Sequence, residues 1–243
     1  MRKLLIDGDL VVHRITASLE TSCDWGNDVW TIHTDIGEAF TAFKDYINHT
    51  KESCEGDEVV VTFSDSENFR KKLFPLYKGN RVGNRKPVGF KALRCKVEDN
   101  FDCVTLYNLE ADDVMGILQT DPSNKKETII VSEDKDMQTI PGTLYARKTL
   151  KKISKIAADR NWMAQAMIGD ATDNYKGCPG IGPKSAEKVL EGLSKVDEMW
   201  GAVLEAFDKK GLTEEDALVS ARLARILRFQ DYNDNGEINL WTP

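Results

Sequence analysis

Four short apolar runs in this chain each lead into carboxylates, and that coincidence limits the folds open to it more than any other feature. Residues 3–6 (KLLI) lead to Asp7 and Asp9, 58–63 (EVVVTF) to Asp65, 103–107 (CVTLY) to Glu110, Asp112 and Asp113, and 128–131 (TIIV) to Asp134 and Asp136. The runs are rich in Val, Ile and Thr, as strands buried on both faces of a parallel sheet are. Between the first two, residues 35–50 carry Ile36, Ala39, Phe40, Phe43 and Ile47 at helical spacing, with Asp35 and Glu38 placed as N-cap and capping partner. From about Ser154 the strand signal fades, and helices are expected over 161–168, 184–190, 196–207 and 214–229, with 237–241 a short strand or extended tail. The expected fold is therefore α/β: a mainly parallel central sheet flanked by helices, with an α/β core over 1–158 and a helical region over 159–243.

In such a sheet, ligands bind beyond the carboxyl ends of the strands. Acids from four strand ends, joined by Asp170 and Asp173 of GDATDN, would repel one another strongly unless cations lay between them. An all-oxygen donor set selects Mg²⁺ or Mn²⁺ rather than zinc. Two such ions ~3.5–4 Å apart suit phosphodiester hydrolysis. His13, His33 and His49 are isolated and read as packing or surface residues. Cys23, Cys54, Cys95, Cys103 and Cys178 are scattered without a CxxC pair and read as reduced thiols of an intracellular protein. No apolar run approaches the ~20 residues that span a bilayer.

The chain has 33 Lys plus Arg against 40 Asp plus Glu, yet residues 68–97 hold ten basic residues and no acid. That block includes Arg70, Lys72, Lys78, Arg81, Arg85 and Lys86, and it points to a polyanion at one surface. Lys78 and Arg81 follow Asp65 closely enough to reach a scissile phosphate, and Phe74 and Tyr77 offer faces on which an unpaired base could stack. Gly79, Gly83, Pro87 and Gly89 argue against a continuous helix here, so a flexible or partly disordered arch loop is expected over 68–97. A second basic run, Arg147, Lys148, Lys151, Lys152 and Lys155, follows the last predicted strand. Farther on, GCPGIGPKSA frees backbone N–H groups at Gly180 and Gly182 and sets Lys184 at a helix start, a pattern suited to gripping a duplex backbone.

Taken together, LIDGD, TFSDS with LYKGNR, LEADDVMG, SEDKDMQ and GDATDNYKGCPGIGPKSA resemble, in order and spacing, the flap-endonuclease and 5′→3′ exonuclease family. The last thirty or so residues are similar to those of the exonucleases of short-tailed lytic phages. The resemblance implies a PIN-like core with a helix-hairpin-helix-type region, cutting DNA near 5′ ends or flaps and RNA primers in hybrids. It implies a monomer acting in the cytoplasm of an infected bacterial host. It implies a first metal site at Asp7, Asp65, Glu110, Asp112 and Asp134, and a second at Asp113, Asp136, Asp170 and Asp173. Asp113 and Asp134 are expected to be essential for catalysis. Lys78 and Arg81 match the family's phosphate-contacting pair, Arg14 a basic residue of the first helix, and GIGPK a duplex grip that often holds K⁺. Glu133 and Asp9 have no role in that pattern. A phosphatase of the haloacid dehalogenase type, with Asp7 as nucleophile and Asp9 as general acid, would leave Glu110, Asp112, Asp113 and Asp134 without work. A clamp without catalysis would lack several of these acids.

Overall fold

The computed structural model describes residues 1–233 and 235–243. In chain order the elements are β1 (Arg2–Asp7), α1 (Gly8–Ser18), β2 (Thr21–Asp24), β3 (Trp30–His33), α2 (Ile36–Cys54), β4 (Glu58–Thr62), α3 (Arg70–Leu73), α4 (Phe90–Glu98), β5 (Cys103–Val104) and α5 (Ala111–Thr120). They continue with β6 (Glu127–Val131), β7 (Gly142–Ala146), β8 (Thr149–Ile153), α6 (Lys155–Ile168), β9 (Gly169–Asp170), β10 (Tyr175–Lys176), α7 (Pro183–Val189), α8 (Val196–Asp208) and α9 (Glu214–Ala224). The central sheet runs β5-β4-β1-β6-β7-β8, parallel throughout except for the β7–β8 hairpin at one edge.

Side-chain alternation along β1 assigns the two faces of the sheet. Leu4 and Ile6 point to one side with Val61, Phe63, Ile129 and Val131, where Phe43 and Ile47 of α2 and Leu93 and Val97 of α4 cover them. Leu5 points to the other side with Val60 and Ile130, against Met115, Met137 and Ile226. Leu4, Leu5 and Ile6 have no exposure, which explains why this strand reads as a continuous apolar run. A further core joins Trp162, Met163, Met199, Trp200 and Phe207 of the C-terminal helices to Tyr77. Trp241 packs edge-on against Trp162 and Trp200, with ring centroids 5.0 Å apart in both cases.

The structure departs from the sequence expectations at identifiable places. The strand expected over 103–107 is only Cys103–Val104, because Asn108 turns left-handed (φ 64°) and its N–H donates to the Asp65 carboxylate at 2.7 Å. The helix expected over 214–229 ends at Ala224, where the chain extends to bury two arginines. Arg225 pairs with Asp231 at 2.7 Å and Arg228 with Asp159 at 2.6 Å. The tail at 237–241 contributes one bridge, Tyr232 to Ile238. The basic block holds no continuous helix, as expected, but it is fixed by contacts rather than left loose. Lys78 N–H donates to the Asp173 carbonyl at 2.8 Å, Asn80 Nδ2 to that of Ala171 at 2.9 Å, and Asn174 Nδ2 to that of Leu76 at 2.8 Å. Its second half is α4, whose apolar face no periodicity argument had claimed from so basic a stretch.

The extended segment after α9 lies against α5 so closely that a Cβ on Gly116 would stand 2.2 Å from the Leu227 carbonyl oxygen. Gly116→Ala should therefore destabilise the protein by about 1–3 kcal/mol, read as a lowered urea midpoint with unchanged slope; wild-type stability would show that the segment yields.

Candidate active site

The carboxyl ends of the parallel strands deliver their acids into one open cleft of about 1140 Å³. At the end of β1 the Asp7 carboxylate caps α1, accepting from Leu10 N–H at 3.0 Å, and accepts from Ser132 Oγ at 2.8 Å. Asp65, after β4, accepts from the N–H groups of Ser66 and Asn108, both at 2.7 Å. Glu110 caps α5 and Asp112 lies on its first turn. After β6, Asp134 accepts from Asp136 N–H at 2.8 Å. Asp170 and Asp173 close the cleft from the β9–β10 turn, where Gly169 and Gly177 approach so tightly that a Cβ on Gly169 would meet Gly177 N at 2.2 Å. The same cleft is also lined by Lys78, Arg81, Lys86, Lys91 and Arg94.

The acids divide into two electrostatic groups. Burial pushes Asp7 up to about 6, and the charges of Asp9 and Asp134 add to that. Burial raises Asp112 well above the usual carboxylate range, with Asp7, Glu110 and Asp134 reinforcing it. Asp136 rises to about 6 through burial and Asp134. Glu110 goes the other way: burial alone would raise it, but Lys78 and Arg70 outweigh burial and hold it at about 2. Lys78 Nζ sits on Glu110 and lies 3.7 Å from Asp173; Arg81 meets Asp173 at 2.8 Å and Lys135 meets Asp170 at 2.9 Å. Among the described residues no three acidic, His or Cys side chains stand together as a finished ion shell. The group around Asp7, Asp112, Asp134 and Asp136 nevertheless gathers four carboxylates in the cleft, with Asp7 buried and Lys135, 3.8 Å from Asp136, the one ion-paired cation on them among the described residues. Its donors are all oxygen, so these residues fit a hard divalent cation.

Residues 2–166 match the 5′-3′ exonuclease N-terminal resolvase-like domain, more than half of the chain. The chain belongs to the 5′-3′ exonuclease family. It is 33% identical to the exodeoxyribonuclease of Enterobacteria phage T3, over 99% of this chain and 92% of that protein. It is 32% identical to the exonuclease of Escherichia phage T7, over 99% and 93%. Among solved structures its backbone is similar to that of a bacteriophage T5 flap endonuclease in a complex with DNA and metal ions, with a TM-score of 0.66 at 16% identity, covering 92% of this chain and 90% of that one. That likeness gives the fold of this exonuclease.

Three residues expected at the working face of this exonuclease lie elsewhere. Asp113 has no exposure and stands outside the cleft. Its two oxygens accept from Arg70 at 2.7 and 2.8 Å, from Leu227 N–H at 3.0 Å and from Glu110 N–H at 3.3 Å, which leaves nothing for a metal. Arg70, expected on DNA, is 2% exposed and also donates to the Leu223 and Arg225 carbonyls at 3.1 and 2.6 Å. Tyr77, expected to stack on a base, is 3% exposed, and its phenol lies 2.9 Å from both Glu110 and Asp173. Phe74 packs partly buried against the helical core. Arg85 is held by Glu20, while Lys72, Lys184, Gly180 and Arg14 are exposed.

Sequence reasoning also passed over groups that do line the cleft, notably His13, Asp9 and Lys135. Asp9, whose carboxylate accepts from Ser64 N–H at 2.8 Å, was legible from its place on the first helical turn after Asp7. Asp113 was legible as the N3 partner of a capping box begun by Glu110.

Removing one partner of a buried ion pair strands the other, so Asp113→Ala should destabilise the exonuclease by about 3–5 kcal/mol, measured by urea unfolding. A folded variant that merely loses metal affinity would return Asp113 to the ligand set. Asp7 yields a pH test. Its folded pKa of about 6 exceeds the ordinary 3.8, so its contribution is present at low pH and lost as pH rises through 6. In EDTA, Asp7→Asn should flatten the fall in stability between pH 4 and 7, gaining about 3 kcal/mol over wild type at pH 7; parallel pH profiles would rule out a strained carboxylate there.

Proposed function

We propose that this chain is a metal-dependent 5′→3′ exonuclease and flap endonuclease that hydrolyses phosphodiester bonds near the 5′ ends of duplex or flapped DNA. The observation that carries the reading is the meeting of two opposite linings in one cleft: acids from the strand ends face Lys78, Arg81, Lys86, Lys91 and Arg94. A phosphodiester presents negative charge to the basic wall while its reacting phosphorus faces the acids. The names of the phage relatives, exodeoxyribonuclease and exonuclease, support the same activity.

Two Mg²⁺ ions, for which Mn²⁺ can substitute, would be held by Asp7, Asp65, Glu110, Asp112 and Asp134 at one position and by Asp136, Asp170 and Asp173 at the other. Bound there, such a pair supplies water activation and charge stabilisation for in-line displacement at phosphorus. The chain's own residues prepare that chemistry. Ser132 and Leu10 N–H fix the Asp7 carboxylate. Tyr77 and Arg70 brace Glu110 from behind. Lys78 and Arg81, now paired with Glu110 and Asp173, are placed to turn to the phosphate as charge develops on it.

Within the same reading, residues 1–158 form the α/β nuclease core and 159–243 a helical DNA-binding region. The turn bearing Gly180 and Gly182, with Lys184 on α7, grips the duplex backbone, and its carbonyls are a candidate K⁺ site. Gly180 supports the tight turn with its left-handed φ of 78°. Arg14, Lys72, Arg85 and Lys86 are further contacts. RNA in RNA/DNA hybrids is a second substrate, and a monomer working in the cytoplasm of a phage-infected host is the expected form.

The test is cleavage of 5′-labelled and 3′-labelled duplexes beside a 5′-flap substrate, in Mg²⁺ and in EDTA. Short products from the 5′ label that vanish in EDTA are expected. Asp134→Ala should abolish cleavage while sparing DNA binding, and Lys78→Ala should slow turnover roughly 10²–10³-fold. Hydrolysis of p-nitrophenyl phosphate without DNA cleavage would overturn the reading.

A further inference from the structure

The second basic run lies on the β7–β8 hairpin, and the cleft does not account for it. The hairpin closes through a two-residue turn, since Ala146 pairs with Thr149. Both turn residues, Arg147 (φ 50°) and Lys148 (φ 59°), are left-handed. Tight hairpin turns of this kind favour Asn-Gly because a side chain with a Cβ is strained there. Two long cations thus occupy the conformation that suits them least, and strain held in this way collects at functional positions.

The turn is also fastened to the site. β7 runs parallel to β6, so the turn emerges at the carboxyl edge of the sheet, where the acids are. Glu133, one residue before Asp134, accepts from Arg147 N–H at 2.9 Å. Ser132, on the other side of Glu133, donates through its backbone N–H to the Tyr145 carbonyl at 3.3 Å and through Oγ to Asp7. Arg147, Lys148 and Lys151 are exposed, and among the described residues no acidic side chain forms an ion pair with them. In the strand order, Asp65 follows β4 on one side of β1, with Arg94 donating to the Ser64 carbonyl beside it, whereas this turn lies beyond β6 on the other side.

We propose that the Arg147–Lys148 turn is a second phosphate-binding rim, gripping the sugar-phosphate backbone of bound nucleic acid on the side of the sheet away from Asp65 and Arg94, with Glu133 fixing it relative to Asp134. The proposal rests on the nuclease reading. The turn exchanges folding stability for charge placement, and that exchange gives a test with two readouts of opposite sign. Arg147→Asn/Lys148→Gly installs the favoured turn pair. It should raise the melting temperature by roughly 2–4 °C.

The same variant should weaken binding of a 5′-flapped DNA duplex, measured in Ca²⁺ from 50 to 200 mM KCl, by about tenfold or more, and reduce the slope of log K against log salt by about 1.8. Arg147→Gln/Lys148→Gln, which keeps a side chain at both positions, should lose binding to the same extent. Lys125→Gln/Lys126→Gln, at the opposite end of β6, should not. Wild-type affinity and salt slope in the turn variants, or an equal loss in the Lys125/Lys126 control, would overturn the rim. A wild-type protein that binds no DNA would instead overturn the nuclease reading beneath it.

Discussion

The buried pair between Arg70 and Asp113 joins three segments that are far apart in sequence. Arg70 begins the short helix that leads into the basic strap. Asp113 lies on the first turn of α5, and the carbonyls of Leu223 and Arg225 belong to the end of the helical region. An arginine with almost no exposure is tolerated only when its fork is filled, and here two carboxylate oxygens, a second acid and two carbonyls fill it. The consequence is positional. Glu110 is capped by Asp113, touched by Arg70 and braced by Tyr77, so the acid facing the cleft is placed by groups that never reach it.

With that scaffold set, the sheet creates the electrostatic tension on which the site depends. Strand ends converge because a parallel sheet puts its carboxyl termini on one edge, and β1, β4, β5 and β6 each lead into an acid. Glu110 and Asp173 find cations within the protein, while Asp7 and Asp112 form no ion pair among the described residues and Asp136 has only Lys135, 3.8 Å away; burial pushes all three toward protonation. Folding leaves that repulsion in place because the cores on both faces of the sheet outweigh it. The residual tension is what makes these oxygens good partners for a small, highly charged ion.

Much of this was legible in the sequence because it is local. A buried parallel strand is a continuous apolar run, and an acid directly after it must lie at the sheet's carboxyl edge, so Asp7, Asp65, Asp134 and the α/β class followed from short windows. What escaped was whatever depends on a distant partner. Asp112 and Asp113 are neighbours in the chain, yet about 100° of helical rotation sends one toward the cleft and the other into the core. Arg70 reads as one more cation in Arg70-Lys71-Lys72 until Asp113 is seen beneath it. Arg225 and Arg228 look like exposed helical residues until Asp231 and Asp159 claim them. Tyr77 looked like a stacking face because nothing nearby in sequence announced Glu110 and Asp173 at its hydroxyl.

The cations of the strap and the acids of the β9–β10 turn hold each other's places. Lys78 on Glu110 and Arg81 on Asp173 keep both linings of the cleft satisfied while it is open to water. Burial by itself would lower the pKa of the Lys78 ammonium, but Glu110, Asp173 and Asp112 outweigh burial and raise it. A phosphate brought in alone would have to pull Lys78 from Glu110 and strand the carboxylate. A divalent ion brought in alone would compete with the ammonium for the same oxygens. Were the two to bind together, Glu110 and Asp173 would be free to hold the metal and Lys78 and Arg81 to hold the phosphate, with little net change in local charge. In the proposed nuclease, the Lys78–Glu110 and Arg81–Asp173 pairs would therefore couple substrate binding to metal binding electrostatically.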